Sequence, residues 1–95
     1  MTPNTITTPK LLEYTTKAVL LASSHTDLDY DRDHISMKLI GAGRLTFTIP
    51  VGWSTTSIWV NIGDFEKYAT FIDKLLERLN KFTGETYTID DLNIY

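Results

Sequence analysis

The segment HISMKLIGAGRLTFTIPVGWSTTSIWVNI, residues 34–62, decides the fold because apolar residues recur in it at every second position. A period of two is typical of β-strands with one buried face. The pattern predicts three strands with these inward residues: Ile35, Met37, Leu39, Leu45, Phe47, Ile49, Ile58, Val60 and Ile62. Gly41-Ala42-Gly43 predicts a tight hairpin, whereas Pro50 and Gly52 end the second strand and residues 54–56 form a looser connection.

Helical spacing flanks this segment on both sides. Thr8 followed by Pro9 is typical of a helix start, and apolar residues at three- and four-residue spacing predict a helix to about Ser23. That helix would bury Leu11, Tyr14, Thr15, Ala18, Leu21 and Ala22. A second helix is predicted over residues 64–82, with Gly84 as its stop. Its apolar arc contains Phe65, Tyr68, Ala69, Ile72, Leu75, Leu76, Leu79 and Phe82, with Phe71 just outside.

The sequence therefore predicts one small α+β domain over residues 1–95, with the order helix, three antiparallel strands, helix (αβββα) and both helices on one face of the sheet. Residues 1–7 form an N-terminal tail and residues 85–95 an acidic C-terminal segment. Two structures are open for this segment. Glu85 to Ile89 would add a fourth strand, or Thr88 would cap a short helical turn with Asp91 as its capping-box partner.

Composition narrows the functional classes. The longest apolar run, residues 18–22, has five residues, against about 20 for a membrane helix. The chain starts without a basic and apolar leader and contains no cysteine, so we expect a cytoplasmic protein without disulfides and without membrane contact.

The net charge of −3 is unevenly distributed along the chain. One acidic run contains Asp27, Asp29, Asp31 and Asp33 and is relieved only by Arg32. A second concentration, without a basic neighbour after Lys81, contains Glu85, Asp90 and Asp91. Because no basic cluster occurs, direct binding to nucleic acid is not expected.

The predicted element order is also that of the double-stranded RNA-binding domain. TPKLLEY, with Pro9, Leu12, Glu13 and Tyr14, resembles the opening of that family's first helix. The resemblance covers about a tenth of the chain. The family's second helix begins with lysines that contact phosphate, whereas this chain has Gly63-Asp64-Phe65-Glu66 there, which would repel it. We therefore take the topology as a parallel and do not expect the activity.

The sequence contains no recognisable catalytic or metal-binding motif. A calcium loop starting at Asp27 needs glycine at its sixth and glutamate at its twelfth position, where the chain has Arg32 and Lys38. His25 and His34 flank the acidic run at a spacing typical of no structural zinc site. No serine lies in a nucleophile motif. We expect neither an enzyme nor a bound cofactor.

The aspartate run has two interpretations. If it is extended, its four carboxylates share one face at intervals of about 6.6–6.8 Å and form a row that imitates a nucleic-acid backbone toward a basic partner. Duplex DNA carries one charge per about 1.7 Å, so the row is sparser. Alternatively, the aspartates form a solvated loop before the first strand.

Trp59 lies between two inward residues, so it should project from the outer face of the sheet beside Lys38, Thr46 and Thr48. An exposed tryptophan there would anchor a protein partner or a second copy of the chain. In the alternative, the tail covers it through Tyr87, Ile89, Leu92, Ile94 and Tyr95. Trp53 is either a core plug under its loop or part of the same surface.

These features favour a non-enzymatic protein-binding domain, most specifically a small acidic inhibitor of a nucleic-acid-binding protein. Phage anti-restriction and anti-CRISPR proteins are similar to it in size, charge and style, and the expected partner is a protein with a basic surface. The predicted binding residues are Asp27, Asp29, Asp31, Asp33, Trp59, Glu85, Asp90 and Asp91. A homodimeric scaffold subunit joined through the outer sheet face is the second hypothesis. A divalent-metal-binding regulator is the third.

Overall fold

A computed structural model describes residues 6–27, 29–41 and 43–93 and confirms the predicted order of helix, three antiparallel strands and helix. The main elements are α1 (Thr8–Ser24), α2 (Asp29–Asp33), β1 (Ser36–Ile40), β2 (Arg44–Val51), β3 (Ser54–Asn61) and α3 (Tyr68–Thr83). Two 3₁₀ turns, Phe65–Lys67 and Ile89–Leu92, precede and follow α3. The short helix α2 was not predicted.

Helix α1 is present as predicted, but its N-cap lies one residue earlier than expected. The Thr7 hydroxyl accepts a hydrogen bond from the Lys10 backbone N–H at 3.4 Å, so Thr7 rather than Thr8 is the N-cap. The helix buries Leu11, Thr15, Ala18 and Ala22, while Tyr14 and Leu21 are half-buried. Ile6 is buried as well, so the chain joins the core before residue 7, where a tail was predicted. Residues 1–5 of that tail lie outside the described residues.

The strands form one antiparallel sheet in the order β1-β2-β3. Gly41–Gly43 connects β1 to β2, as predicted, with Ile40 opposite Arg44. The connection from β2 to β3 is shorter than expected, because Val51 pairs with Ser54 across the two residues Gly52 and Trp53. Gly52 has φ 61°, which a hairpin turn of this length requires at its first position. Residues 54–56 are therefore part of β3, and the predicted loose connection is wrong.

The inward alternation holds for the sheet except at one end. Met37, Ile58 and Ile62 are half-buried, and five predicted positions are buried: Ile35, Leu45, Phe47, Ile49 and Val60. Leu39, predicted inward, is 59% exposed. The helical layer reaches Met37, whose Sδ lies 3.8 Å from the Thr16 hydroxyl of α1, but leaves the end of this short edge strand open.

Helix α3 provides the second half of the cover. It buries Tyr68, Phe71, Ile72, Leu75 and Leu79, whereas Ala69 and Phe65, both placed in the predicted arc, are exposed. The stripe is rotated toward Phe71 because residues 65–67 form a 3₁₀ turn, which advances about 120° per residue rather than about 100°. Gly84 ends the helix with φ 77°, as predicted for a C-terminal stop.

Helices α1 and α3 run parallel. At their N-terminal ends, the buried Tyr68 hydroxyl accepts a hydrogen bond from the Gly63 N–H at 2.7 Å and lies 3.1 Å from the Thr8 hydroxyl. At the other end, His25, which caps α1, is hydrogen-bonded to Tyr87, just beyond α3. No helix in the described part of the chain has the length and apolarity needed to cross a membrane.

Candidate protein-binding site

The C-terminal segment folds as a capped turn. The Thr88 backbone N–H donates a hydrogen bond to Asp91 Oδ2 at 2.8 Å, and residues 89–92 form one 3₁₀ turn. The capping-box interpretation is thus confirmed and the fourth strand is wrong. Leu92 is fully buried, and the turn packs against α1 rather than over Trp59. Ile94 and Tyr95, the other residues proposed to cover Trp59, lie outside the described residues.

The aspartate run is not extended. Residues 29–33 form the helix α2, in which Asp29 and Asp33 lie one turn apart and Asp31 points elsewhere. Arg32 Nε donates to the Thr26 carbonyl at 3.0 Å, which folds the chain back toward the end of α1. The predicted row of four carboxylates on one strand face is therefore wrong. A local turn satisfies backbone groups that an isolated extended strand would leave to water.

One contact joins His25, the cap of α1 just before the aspartate run, to the C-terminal segment. His25 Nε2 and the Tyr87 hydroxyl are 2.8 Å apart, and the two rings meet edge to face at 6.1 Å. Asn80 fixes the backbone of Tyr87 on both sides, since its amide donates to the Tyr87 carbonyl at 3.0 Å and its Oδ1 accepts from the Tyr87 N–H at 2.7 Å. The His25–Tyr87 pair could not be predicted from the sequence, because 62 positions separate its members.

The surroundings of Tyr87 are negatively charged. Burial raises the pKa of the Tyr87 hydroxyl, and the nearby carboxylates of Glu85 and Asp91 raise it further. Asp27 follows His25 by two residues. We call the two segments that the His25–Tyr87 contact links the acidic end, with the members Asp27, Asp29, Asp31, Asp33, Glu85, Asp90 and Asp91.

The acidic end holds more negative charge than the whole chain. Four carboxylates and one guanidinium give residues 25–34 a charge of −3, and residues 85–91 add another −3. Because the chain total is −3, the rest carries +3. Among the described residues, the only ion pair at this end joins Arg32 Nη2 to Asp27 Oδ1, at 3.9 Å. The carboxylates of Asp29, Asp33, Glu85 and Asp90 have no described cation within 4 Å.

Helix geometry strengthens this negative charge. Both α1 and α3 direct their C-terminal, negative ends toward the acidic end, and α1 has no basic residue in its last turn. Carboxylates at such a position oppose folding, since the same charges would be favourable at the other end of each helix. Asp91 and Asp29 are different in this respect, since Asp91 caps the 3₁₀ turn and Asp29 lies in the first turn of α2, where a carboxylate is favourable.

Trp59 belongs to a different surface. It is 55% exposed on the outer face of the sheet, opposite Thr46 and in one cross-strand row with Lys38. The Arg44 guanidinium lies 4.3 Å from the centre of its ring and covers part of it. Trp53 is fully exposed at the tip of the β2–β3 hairpin, so it is not a core plug. Of the eight predicted binding residues, seven belong to the two acidic segments and Trp59 lies on the outer face of the sheet.

No three histidine, aspartate or glutamate side chains of the described ranges come close enough together to hold a metal ion. The structure therefore adds nothing to the hypothesis of a metal-binding regulator.

Comparisons with known proteins do not extend this description. No protein-family model matches the chain, and searches of curated proteins and of solved structures gave no significant match.

Proposed function

We propose that this protein is a non-enzymatic protein-binding domain whose acidic end occupies the basic, nucleic-acid-binding surface of another protein and so inhibits it. The observation that carries the proposal is the His25–Tyr87 contact, which joins two acidic segments that are separate in the sequence. His25 precedes Asp27 of the first segment by two residues, and Tyr87 lies within the second.

The electrostatics fit this role. Unpaired carboxylates and two helix C-termini give the acidic end a field that extends about 8 Å into physiological salt before it is screened. Such a field accelerates encounter with a cationic surface and repels nucleic acid from the same partner. Because the remaining surface has a net positive charge, the field also orients the molecule toward that partner.

The test compares two variants with the same net charge. Asp29→Asn, Asp33→Asn and Glu85→Gln together remove three carboxylates from the acidic end. Glu66→Gln, Asp73→Asn and Glu77→Gln remove three exposed carboxylates from α3 and the turn before it. Proteins captured from a host lysate on the wild-type chain are identified first. The ability of each variant to displace a fluorescent duplex of about 20 base pairs from each captured protein is then measured.

We expect the wild-type chain to displace the duplex from a captured nucleic-acid-binding protein. The acidic-end variant should need at least a tenfold higher concentration for the same displacement, whereas the α3 variant should stay within about twofold of the wild-type chain. If both variants displaced the duplex equally weakly, the effect would depend only on net charge and not on the acidic end. If neither the wild-type chain nor a variant displaced the duplex, the proposal would be contradicted.

A second candidate, a homodimeric scaffold subunit, is favoured by the exposure of Trp59 on the outer sheet face. Here Trp59→Ala would abolish self-association, measured by sedimentation, and leave duplex displacement unchanged. The inhibitor hypothesis expects displacement to depend on the acidic end and not on Trp59.

A further inference from the structure

The outer edge of β3 has no partner strand among the described residues, since β3 is the last strand of the sheet. The Ile62 N–H donates a hydrogen bond to the Gly43 carbonyl at 2.7 Å, so Ile62 and Gly43 are a hydrogen-bonded pair. In an antiparallel sheet every second residue of a strand is bonded to the same neighbour, so this pair shows which residues of β3 bond to β2. Thr56, Ile58 and Val60 accordingly direct their backbone groups toward β2, and the residues between them direct theirs outward. Pro50 lies opposite Thr55, in a pair that exchanges no hydrogen bonds, so its missing N–H leaves no bond between β2 and β3 unmade.

Three residues, Thr55, Ser57 and Trp59, therefore direct both their backbone N–H and C=O groups outward at this edge. Asn61 offers only its N–H, because its carbonyl accepts a hydrogen bond from the Asp64 N–H at 3.1 Å. Single proteins protect such edges with charged side chains, proline, bulges or short strands. β3 has none of these features, since STTSIWVN is eight residues long, uncharged and free of proline, and its pairing with β2 is continuous. The opposite edge strand, β1, has five residues and carries Lys38.

The layer behind the edge leaves room for another strand. A groove of about 620 Å³ lies between β3 and α3 and is bounded on the strand side by residues 57–61. Its other side is lined by Thr70, Phe71 and Lys74 of α3 and by Asp64, Glu66 and Lys67 of the segment before it. In a strand added to the edge, every second side chain points toward the helical layer. The groove provides space for those side chains.

We propose that a second copy of this chain occupies the edge, with two β3 strands pairing antiparallel about a two-fold axis to join two sheets into one of six strands. Because β3 is uncharged, self-pairing sets no like charges opposite each other. The requirement that inward residues face inward allows registers centred on Ser57 or on Ile58, each of which gives about six main-chain hydrogen bonds. The groove behind the edge contains two carboxylates, Asp64 and Glu66, and two lysines, so neither the strand nor the groove has a net charge that would select a charged partner over a second copy.

This pairing is independent of the proposed inhibitory function, because β3 and the acidic end are separate surfaces. The two-fold axis would turn the two acidic ends in opposite directions, so both stay accessible in the dimer. Failure of one proposal leaves the other intact.

Sedimentation equilibrium over a range of concentrations, together with amide hydrogen exchange by NMR, tests the dimer. For the wild-type chain we expect a monomer–dimer equilibrium. With rising concentration, the amides of Thr55, Ser57 and Trp59 should exchange at least tenfold more slowly. A chain that stays monomeric at millimolar concentration, or a dimer in which these amides exchange freely, overturns the proposal. The second result would indicate packing through another face.

Two variants with equal added charge identify the edge. Thr55→Lys with Asn61→Lys places two lysines on the β3 edge, at exposed side chains that make no described hydrogen bond, and should weaken self-association at least tenfold. Leu39→Lys with Ile40→Lys places two lysines on exposed positions of β1 and should leave it unchanged. The reverse pattern would assign the contact to β1. The wild-type exchange measurement decides the question even if a variant fails to fold.

Discussion

At the scale of single residues, Tyr87 links charge to structure. Its hydroxyl is hydrogen-bonded to His25, and its backbone is hydrogen-bonded to the Asn80 side chain. The pKa of its hydroxyl is raised mainly by burial and further by the carboxylates of Glu85 and Asp91. A raised pKa in the folded protein means that folding favours the protonated phenol. The associated stability is fully present below the ordinary value of 10.0 and is lost as pH rises through the folded-state pKa.

Glu85→Gln should lower the pKa of Tyr87, because it removes one of the two carboxylates that raise it, and should leave it above the ordinary value, because burial persists. The pKa is measured from the pH dependence of the Tyr87 ring-carbon NMR signal, assigned with Tyr87→Phe. Glu77→Gln, on the exposed side of α3, is the control and should have no effect. An unchanged pKa in Glu85→Gln would show that residue 85 lies far from the ring.

Single positions could be predicted from the sequence where burial alone decides them. Leu45, Phe47 and Val60 are buried as their alternation predicts, because a strand under a helical layer has no other way to remove these side chains from water. Leu39 shows the limit of that rule. Leu39 follows the same alternation, but its burial depends on how far the helical layer extends over the edge strand. The spacing of apolar residues does not reveal that extent.

At the scale of elements, the C-terminal turn illustrates what a local pattern can decide. Thr88 and Asp91 have the spacing of a capping box, and the turn they predict is present. Its partner could not be predicted, since the turn buries Leu92 against α1, at the other end of the chain. The short helix α2 escaped prediction for a related reason. Five residues contain too little periodicity, and its position depends on the bond from Arg32 to the Thr26 carbonyl.

Leu92→Ala should destabilise the protein by about 2–5 kcal/mol, because it leaves a cavity in a fully buried site. Ile89→Ala, in the same turn but 37% exposed, should lower the free energy of unfolding by about 1 kcal/mol or less. Urea unfolding monitored by circular dichroism measures both. Similar losses for the two variants would mean that the turn does not belong to the core.

At the scale of the whole molecule, the dominant feature is the separation of charge. Both acidic segments are evident in the sequence, and so is the total of −3. Their meeting is not, because it depends on the parallel packing of α1 and α3 and on a bond between residues 25 and 87. The same is true of Trp59, whose outward direction follows from alternation but whose stacking under Arg44 does not.

The charge separation should lower stability at low ionic strength. Replacing Asp29, Asp33 and Glu85 by their amides should raise Tm, because Asp33 and Glu85 lie at the C-terminal ends of α2 and α3 and together outweigh Asp29, which lies in the first turn of α2. The gain should shrink as salt is added, because screening weakens the same repulsion.

The control variant with Glu66, Asp73 and Glu77 replaced by amides should show no such gain, since Glu66 lies in the first turn of the segment leading into α3, where negative charge is favourable. Differential scanning calorimetry at two salt concentrations makes the comparison. A gain of equal size in the control would attribute the effect to total charge alone.

The parallel packing of α1 and α3 also constrains the order in which the chain can fold. Leu11 and Ala18 are made first during synthesis, yet the surface that covers them includes α3, and the contacts at both helix ends join residues about sixty positions apart. Contacts at such separation slow folding, since a long loop must close before any of them forms. We expect α1 to leave the ribosome with its apolar face uncovered and to acquire stable structure only when the last third of the chain has followed it, so that folding is a late, all-or-none event.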